Sequence, residues 1–383
     1  MKNKTYYIFG IFIVSLSIIL ISNQYNFLFN KIRVELLGSS FNELKNIKFK
    51  IFNKSILSPV KVNISEKNYF LLQIERKKMM NNWILSQSLF TGTNKYYKAE
   101  VKSDLFDADY KYKARLFGSF HDHFKDPDNH SLRIKGTKKD GNEIQYNILK
   151  PWSRDYNINY LNNLIYKELS QGIFINYRPI HFFFNNLDYS VYLIEDFFSQ
   201  NLLDSNNFNQ GAFFTISENK IKYNYISNNL SILEDMSIPD YYKKIDNRKL
   251  SFFLTICLIN NNFHPLGDEN LHWFYNNSSG LIEPTYREGY IVSYDNKPVD
   301  INKMSNYNIF LHNYISDNPE LEVEILKNCM LIKESLNKIL SSERYLSFKK
   351  SLDSFNHSIN SREDIYLNNL NFLINSLIIK VSG

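Results

Sequence analysis

The chain has 383 residues, of which 44% are hydrophobic and 16% aromatic, enough to build a core and to exclude global disorder. Its net charge of +6 is spread along the sequence, without a long Lys/Arg run or an arginine-rich arm. Such a distribution gives no support to nucleic-acid binding, so no nucleic-acid partner is expected.

The apolar run near the N-terminus predicts a membrane anchor. Lys2 and Lys4 precede an uncharged stretch over residues 6–21, which with its polar flanks reaches the roughly 18–20 residues that span a bilayer. We expect one transmembrane helix within residues 1–30, with the N-terminus cytoplasmic and the main domain extracytoplasmic. A cleaved signal peptide is the alternative.

Residues 31–89 are predicted to be a small lead-in of short strands followed by a helix. The stretches "KIRVELLG", "IKFKIF" and "PVKVNIS" alternate with a period of two, which is typical of strands. The following stretch, residues 70–89, has the pattern of a helix.

Residues 90–200 combine further strands with one helix. "HSLRIKG" and "IQYNILK" flank a turn containing Asp140 and Gly141, which predicts a β-hairpin. "NINYLNNLIYKELSQGI" predicts a helix ending near Gly172. A second strand pair is predicted to turn at residues 185–188. Because strands and helices do not alternate regularly, the fold class is predicted to be α+β.

The last third of the chain is predicted to be mainly helical. Asn318, Pro319 and Glu320 provide an N-cap, a first-turn proline and a first-turn acid. The expected apolar stripe of this helix is Leu321, Ile325, Cys329, Ile332, Leu336 and Ile339. Two more helices are predicted, over residues 346–355 and 365–379.

The two cysteines, Cys257 and Cys329, belong to no CxxC pair, so a structural zinc site is not indicated. Their apolar surroundings predict buried free thiols. A single long-range disulfide is the alternative for an extracytoplasmic domain.

Four stretches in order resemble motifs of the spore-coat protein H (CotH) kinase-like family, in its membrane-anchored or exported branch. They are "ARLFGSFHDHFKDPDNHSLRIKG" (114–136), "LKPWSRDYNINYLNNLIYKELSQGI" (149–173), "RPIHFFFNNLDYSVYLIED" (178–196) and "HPLGDENLHWFYNNSSGLIEP" (264–284). The resemblance covers roughly residues 90–300.

The resemblance implies an atypical, two-lobed protein-kinase-like fold. Its first lobe, residues 90–200, would hold a mixed or antiparallel sheet, and its second, residues 201–383, would be mainly helical. The expected domain order is thus an anchor at 1–30, a lead-in at 31–89 and a kinase-like domain at 90–383.

The resemblance also implies roles for single residues in binding ATP. Lys135 or Arg133, which share one face of a predicted strand, would bind the nucleotide phosphates, and Glu195 would orient that cation. Arg154 is expected to brace the site.

The stretch that begins at His264 resembles the catalytic loop. Asn270 would hold Mg²⁺ or Mn²⁺, and His264 or Asp268 would serve as the base. The second metal carboxylate would be expected just after Pro284, where Glu288 is the nearest carboxylate downstream and Glu283 lies just before. Arg287 stands close to that position, where a guanidinium would repel the metal ion and could stand in for it.

Two functions follow from these expectations. The first is an extracytoplasmic kinase that transfers phosphate from ATP to a protein or surface polymer. The second is a non-catalytic envelope or coat scaffold, supported by the irregular carboxylate pattern.

Overall fold

A computed structural model describes residues 57–86, 95–118, 123, 130–141, 143–217, 220–227, 237–268, 270–287, 289–294, 301, 304 and 308–382. The predicted anchor and the strands predicted before residue 57 lie outside these residues. No helix in the described ranges combines the length and the apolar character needed to cross a membrane.

Seven strands close into a barrel. They are β1 (Pro59–Ile64), β2 (Tyr97–Lys102), β3 (Lys111–Leu116), β4 (Leu132–Thr137), β5 (Glu143–Leu149), β6 (Tyr177–Phe184) and β7 (Leu187–Asp196). Their order is β1-β2-β3-β4-β5-β7-β6, and β1 pairs in parallel with β6 to complete the ring. Alternate residues of each strand point inward, and these residues form an apolar interior.

The predicted β4–β5 hairpin is confirmed. The two strands pair over six residues on each side, and Gly141 in the turn has φ of 90°. Residues with a side chain rarely adopt this conformation, so glycine is favoured there. Helix α1 (Glu66–Ser86) connects β1 to β2 and adds Leu72, Met79 and Met80 to the apolar cluster of the barrel.

A second, four-stranded antiparallel sheet follows the barrel in sequence. It consists of β8 (Gly211–Ser217), β9 (Lys220–Ile226), β10 (His272–Asn276) and β11 (Leu281–Thr285). The strand order is β11-β10-β8-β9.

Eight further α-helices lie in the described part of the chain. They are α2 (Ile158–Ser170), α3 (Gln200–Ser205), α4 (Ile238–Lys243), α5 (Asn247–Ile259), α6 (Ile309–Asp317), α7 (Leu321–Leu340), α8 (Glu343–Ser351) and α9 (Asn356–Ser382). Helices α2, α5, α7 and α9 contribute to one apolar core with the second sheet. Cys257 and Cys329 are buried free thiols in that core.

Helix α2 ends as predicted, but for a different reason. Gln171, not Gly172, takes the left-handed conformation at the C-cap, with φ of 58°. A Cβ at Gly172 would lie 2.1 Å from the ring of Tyr166. Glycine is therefore required at this position by close packing.

The prediction of an α+β, two-lobed, kinase-like fold is wrong, and the transmembrane helix predicted with it falls outside the described residues. The strands predicted to form a mixed or antiparallel sheet close into a barrel with β1, and the second lobe, predicted to be mainly helical, contains a four-stranded sheet. The decisive pairing joins β1 and β6, which are more than 110 residues apart, and strand periodicity carries no information about such a partner.

Candidate functional site

A row of polar side chains crosses the outer wall of the barrel. Arg115 on β3 pairs in register with Arg133 on β4, Arg133 with Asn147 on β5, and Asn147 with Glu195 on β7. Their neighbours along the strands point into the barrel, so these four side chains share the outer face. The strand register therefore brings together residues that lie up to 80 positions apart.

Glu195 is fully buried and connects the row to two other segments. Its Oε2 accepts a hydrogen bond from Arg154 Nε at 2.6 Å, and its Oε1 accepts one from Asn147 Nδ2 at 2.5 Å. Arg287 also donates to Oε1, through Nε at 3.2 Å and Nη2 at 3.3 Å. Arg154 ends a short 3-10 helix after β5, and Arg287 follows β11.

The positive charges here outnumber the negative ones among the described side chains. Arg133 Nε donates to the neutral Asn147 Oδ1 at 2.8 Å, and Arg115 Nε is buried without a hydrogen-bond partner. Neither guanidinium forms an ion pair with a carboxylate of the described residues. We call Arg115, Arg133, Arg154 and Arg287 around Glu195 the arginine cluster.

The crowding of like charges is reflected in the pKa of Arg133. Burial of most of its side chain, together with the charges of Arg287 and Arg115, lowers this pKa to about 9. The cationic form of the cluster thus carries an electrostatic cost that a bound anion would offset.

Aromatic rings fix the orientation of two guanidinium groups. The guanidinium of Arg133 lies 4.5 Å from the ring centre of Phe117 and 4.2 Å from that of Phe197. Arg287 lies near the same rings, at 6.0 and 5.0 Å. Such contacts stabilise a cation over a ring face and leave its N–H edge available to an acceptor.

The members of the arginine cluster differ in their exposure to solvent. Arg115 and Arg133 keep part of their side chains exposed, whereas Arg154 and Glu195 are buried. His272 of β10 borders the buried side, with Nε2 at 3.4 Å from Arg287 Nη1. An anion entering from solvent would therefore meet Arg133 and Arg115 first.

The structure separates the two cations predicted to bind phosphate. Arg133 belongs to the cluster and reaches Glu195 through Asn147. Lys135, two residues further along β4, forms an ion pair with Glu143 at 2.7 Å. Arg133 and Glu195 are thus brought together, and Lys135 is not part of the arginine cluster.

The predicted catalytic loop is a compact turn that opens with the 3-10 helix His264–Leu266. Asn270 Nδ2 donates to the carbonyl of His264 at 3.3 Å, and Asp268 Oδ1 accepts from Asn308 Nδ2 at 2.7 Å. The first hydrogen bond closes the turn between His264 and Asn270, and the second connects Asp268 to the residue that caps α6. Glu288 lies outside the described residues.

The residues present do not make a metal site in the described part of the chain. No three His, Cys, Asp or Glu side chains there come together in a way that could hold an ion. The amide nitrogen of Asn270 donates to a backbone carbonyl, and the carboxylate of Glu195 accepts hydrogen bonds from two arginines.

Sequence reasoning assigned no anion-binding role to Arg115, Asn147 or Arg287. Period-two alternation in "KYKARL" and "LRIKGT" places Arg115 and Arg133 on one face of their strands, which was the available indication. The expectation that Arg154 braces the site agrees with its hydrogen bond to Glu195.

No family model matches the sequence, and no curated protein matches it. The resemblance to the CotH kinase-like family, and the activity that it implies, remain predictions.

Proposed function

We propose that the arginine cluster binds the phosphate groups of a nucleotide, with ATP as the ligand that the family resemblance implies. The observation that supports this proposal is the surplus of cationic side chains around a single carboxylate among the described residues. By the same resemblance, the reaction would be phosphate transfer from ATP to a protein or surface polymer.

The chemistry of the cluster suits a phosphate. A guanidinium group presents several N–H donors in a planar fork that matches two phosphate oxygens, and hydrogen bonds between ions are about twice as strong as neutral ones. Burial and, to a smaller extent, repulsion by Arg287 and Arg115 lower the pKa of Arg133, and a bound anion would relieve the repulsion. Relief of this repulsion would therefore make the binding of an anion more favourable.

We assign no step of the reaction to a bound Mg²⁺ or Mn²⁺ ion. Of the two predicted ligands, Glu288 lies outside the described residues, and the amide of Asn270 donates to a backbone carbonyl. The roles of His264 or Asp268 as the base, and of Asn270 and Glu288 as metal ligands, rest on the resemblance alone.

Two substitutions on the same strand test the proposal. Thermal unfolding of the full-length chain is followed with increasing ATP, because a ligand that binds the folded state raises the unfolding temperature. We expect Arg133→Gln to weaken ATP binding at least tenfold, since it removes a charged donor. Lys135→Gln, whose lysine is paired with Glu143, is expected to change the affinity less than about threefold.

Equal effects of the two variants, or the absence of any shift with ATP in the unaltered chain, would overturn the proposal. Inorganic tripolyphosphate serves as a further probe, because it carries the phosphates without the nucleoside. Binding of both compounds would show that the phosphates are the recognised group.

A non-catalytic scaffold is the second candidate. One observation favours it: Glu195 joins the barrel to the segment with Arg154 and to the segment after β11, so the cluster also holds parts of the fold together. Incubation with labelled ATP and Mn²⁺ separates the two functions. A kinase should label itself or an added acceptor, whereas a scaffold that binds ATP would show the thermal shift without labelling.

The proposal also includes the location of the protein. Residues 1–30 would anchor it in a membrane with the main domain extracytoplasmic, or would be removed as a signal peptide. Membrane fractionation of the full-length chain, with protease added from outside, would contradict this if the chain were recovered in the cytoplasmic fraction.

A further inference from the structure

A pocket of about 240 Å³ lies away from the arginine cluster, between α2 and the junction of α7 with α8. Leu164 and Leu169 of α2 and Ile339 of α7 supply apolar walls, and Leu164 and Ile339 are themselves buried. The volume is near the lower end of the roughly 300–1,000 Å³ that small-molecule sites occupy, so it suits a ligand smaller than a typical drug.

The rim of this pocket is charged. Lys338 at the end of α7 and Arg344 at the start of α8 lie on one side, and Glu168 of α2 also contributes. All three side chains are exposed, and none forms an ion pair with a described residue. Burial lowers the pKa of the neighbouring Lys167, while the charge of Glu168 raises it and that of Arg344 lowers it, so these charges lie close together. Positive charge therefore predominates at the rim.

Arg344 is held in position although it is exposed. Its guanidinium lies 4.0 Å from the ring centre of Phe174 and close to the hydroxyl of Tyr160, whose pKa burial raises and the charge of Arg344 lowers. The ring of Tyr160 in turn stacks on Phe348 at 3.9 Å. An exposed arginine normally loses side-chain entropy when it binds a ligand, and this support reduces that loss.

We propose that this pocket binds a small carboxylate with an apolar tail, its carboxylate on Arg344 and Lys338 and its tail against Leu164, Leu169 and Ile339. A neutral apolar compound would leave the two cations without a partner. A purely ionic compound would leave the apolar walls in contact with water. Only a compound with both parts matches the pocket.

The pocket and the arginine cluster are separate sites. Arg154 precedes the N-terminus of α2, whereas the pocket contacts the C-terminal half of that helix. This inference therefore does not depend on the nucleotide proposal, and either one can fail alone.

Three probes, each carrying a different part of the proposed ligand, test the pocket by calorimetric titration of the full-length protein. Octanoate carries both the charge and the tail, octan-1-ol carries the tail alone, and acetate carries the charge alone. We expect saturable binding of octanoate, about tenfold weaker binding of octan-1-ol, and no measurable binding of acetate.

Substitutions then locate the site. Arg344→Gln should weaken octanoate about tenfold and leave octan-1-ol unchanged, whereas Lys333→Gln, which changes an exposed lysine of α7 outside the pocket, should change neither. Ser335→Phe, which fills the pocket, should remove binding of both compounds, with folding checked by circular dichroism. Equal binding of octanoate and octan-1-ol, or an unchanged octanoate affinity in Arg344→Gln, would overturn the proposal.

Discussion

Glu195 shows how strongly the role of one residue depends on its surroundings. It is the carboxylate that both Arg154 and Arg287 contact, and it is fully buried. Removing one partner from a buried ionic network leaves the other charges uncompensated, which costs more than the network contributes when complete.

We therefore expect Glu195→Gln to lower the free energy of unfolding by about 3–5 kcal/mol, measured by urea denaturation. Glu143→Gln is the matched control, because it breaks the exposed pair with Lys135 and should cost less than about 1 kcal/mol. A second change, Arg133→Gln, should restore part of the loss by removing one like charge. Equal losses in the two single variants would contradict a charge-balancing role for Glu195.

For single residues, the sequence indicated candidate phosphate-binding side chains but could not show which of them belong to the arginine cluster. Alternation placed Arg133 and Lys135 on one face, and nothing in the pattern could separate them. The difference arises from Glu143, which reaches Lys135 across the hairpin. The contact between Glu195 and Arg287 joins residues 92 positions apart, beyond what local spacing can reveal.

Among the elements, the turn that begins with His264–Leu266 was predicted to be catalytic. Through the hydrogen bond from its Nδ2 to the His264 carbonyl, the side chain of Asn270 stabilises this turn. A hydrogen bond of this kind contributes about 1 kcal/mol.

Asn270→Ala should consequently lower the free energy of unfolding by about 1 kcal/mol and leave the affinity for ATP unchanged. Asn277→Ala removes an exposed side chain that contacts Gln210 in a neighbouring turn, and is expected to cost less. Thermal unfolding with and without ATP measures both effects. Loss of ATP binding in Asn270→Ala, at unchanged stability, would instead support the metal-ligand role implied by the resemblance.

Elements with a strong local pattern were predicted well. The six apolar positions expected on α7 are all buried, although the helix begins at Leu321, after the predicted cap. The arrangement of the strands was not predictable in this way. Closure of the barrel depends on the parallel pairing of β1 with β6, and the second sheet combines strands on both sides of α5. Such pairings are decided by tertiary packing, which a period of two does not encode.

The whole molecule contains 27 tyrosines, and many of them are buried. Tyr166, Tyr286 and Tyr366 lie in the large core, and burial raises the pKa of each hydroxyl well above its ordinary value. Burial also raises the pKa of Tyr314 to about 12. The unfolded chain would release these protons near pH 10, whereas the folded chain retains them. Stability therefore falls as the pH rises above about 10.

Arg133 has the opposite effect, because its lowered pKa lets the folded state release a proton from about pH 9, before the unfolded state does. One such group is outweighed by several tyrosines, so we expect cooperative unfolding at alkaline pH. Absorbance of tyrosinate at about 295 nm should rise in one step, together with the loss of far-ultraviolet circular dichroism. A gradual rise in absorbance near pH 10 with unchanged dichroism would mean that the tyrosines are accessible, and would contradict the buried core described here.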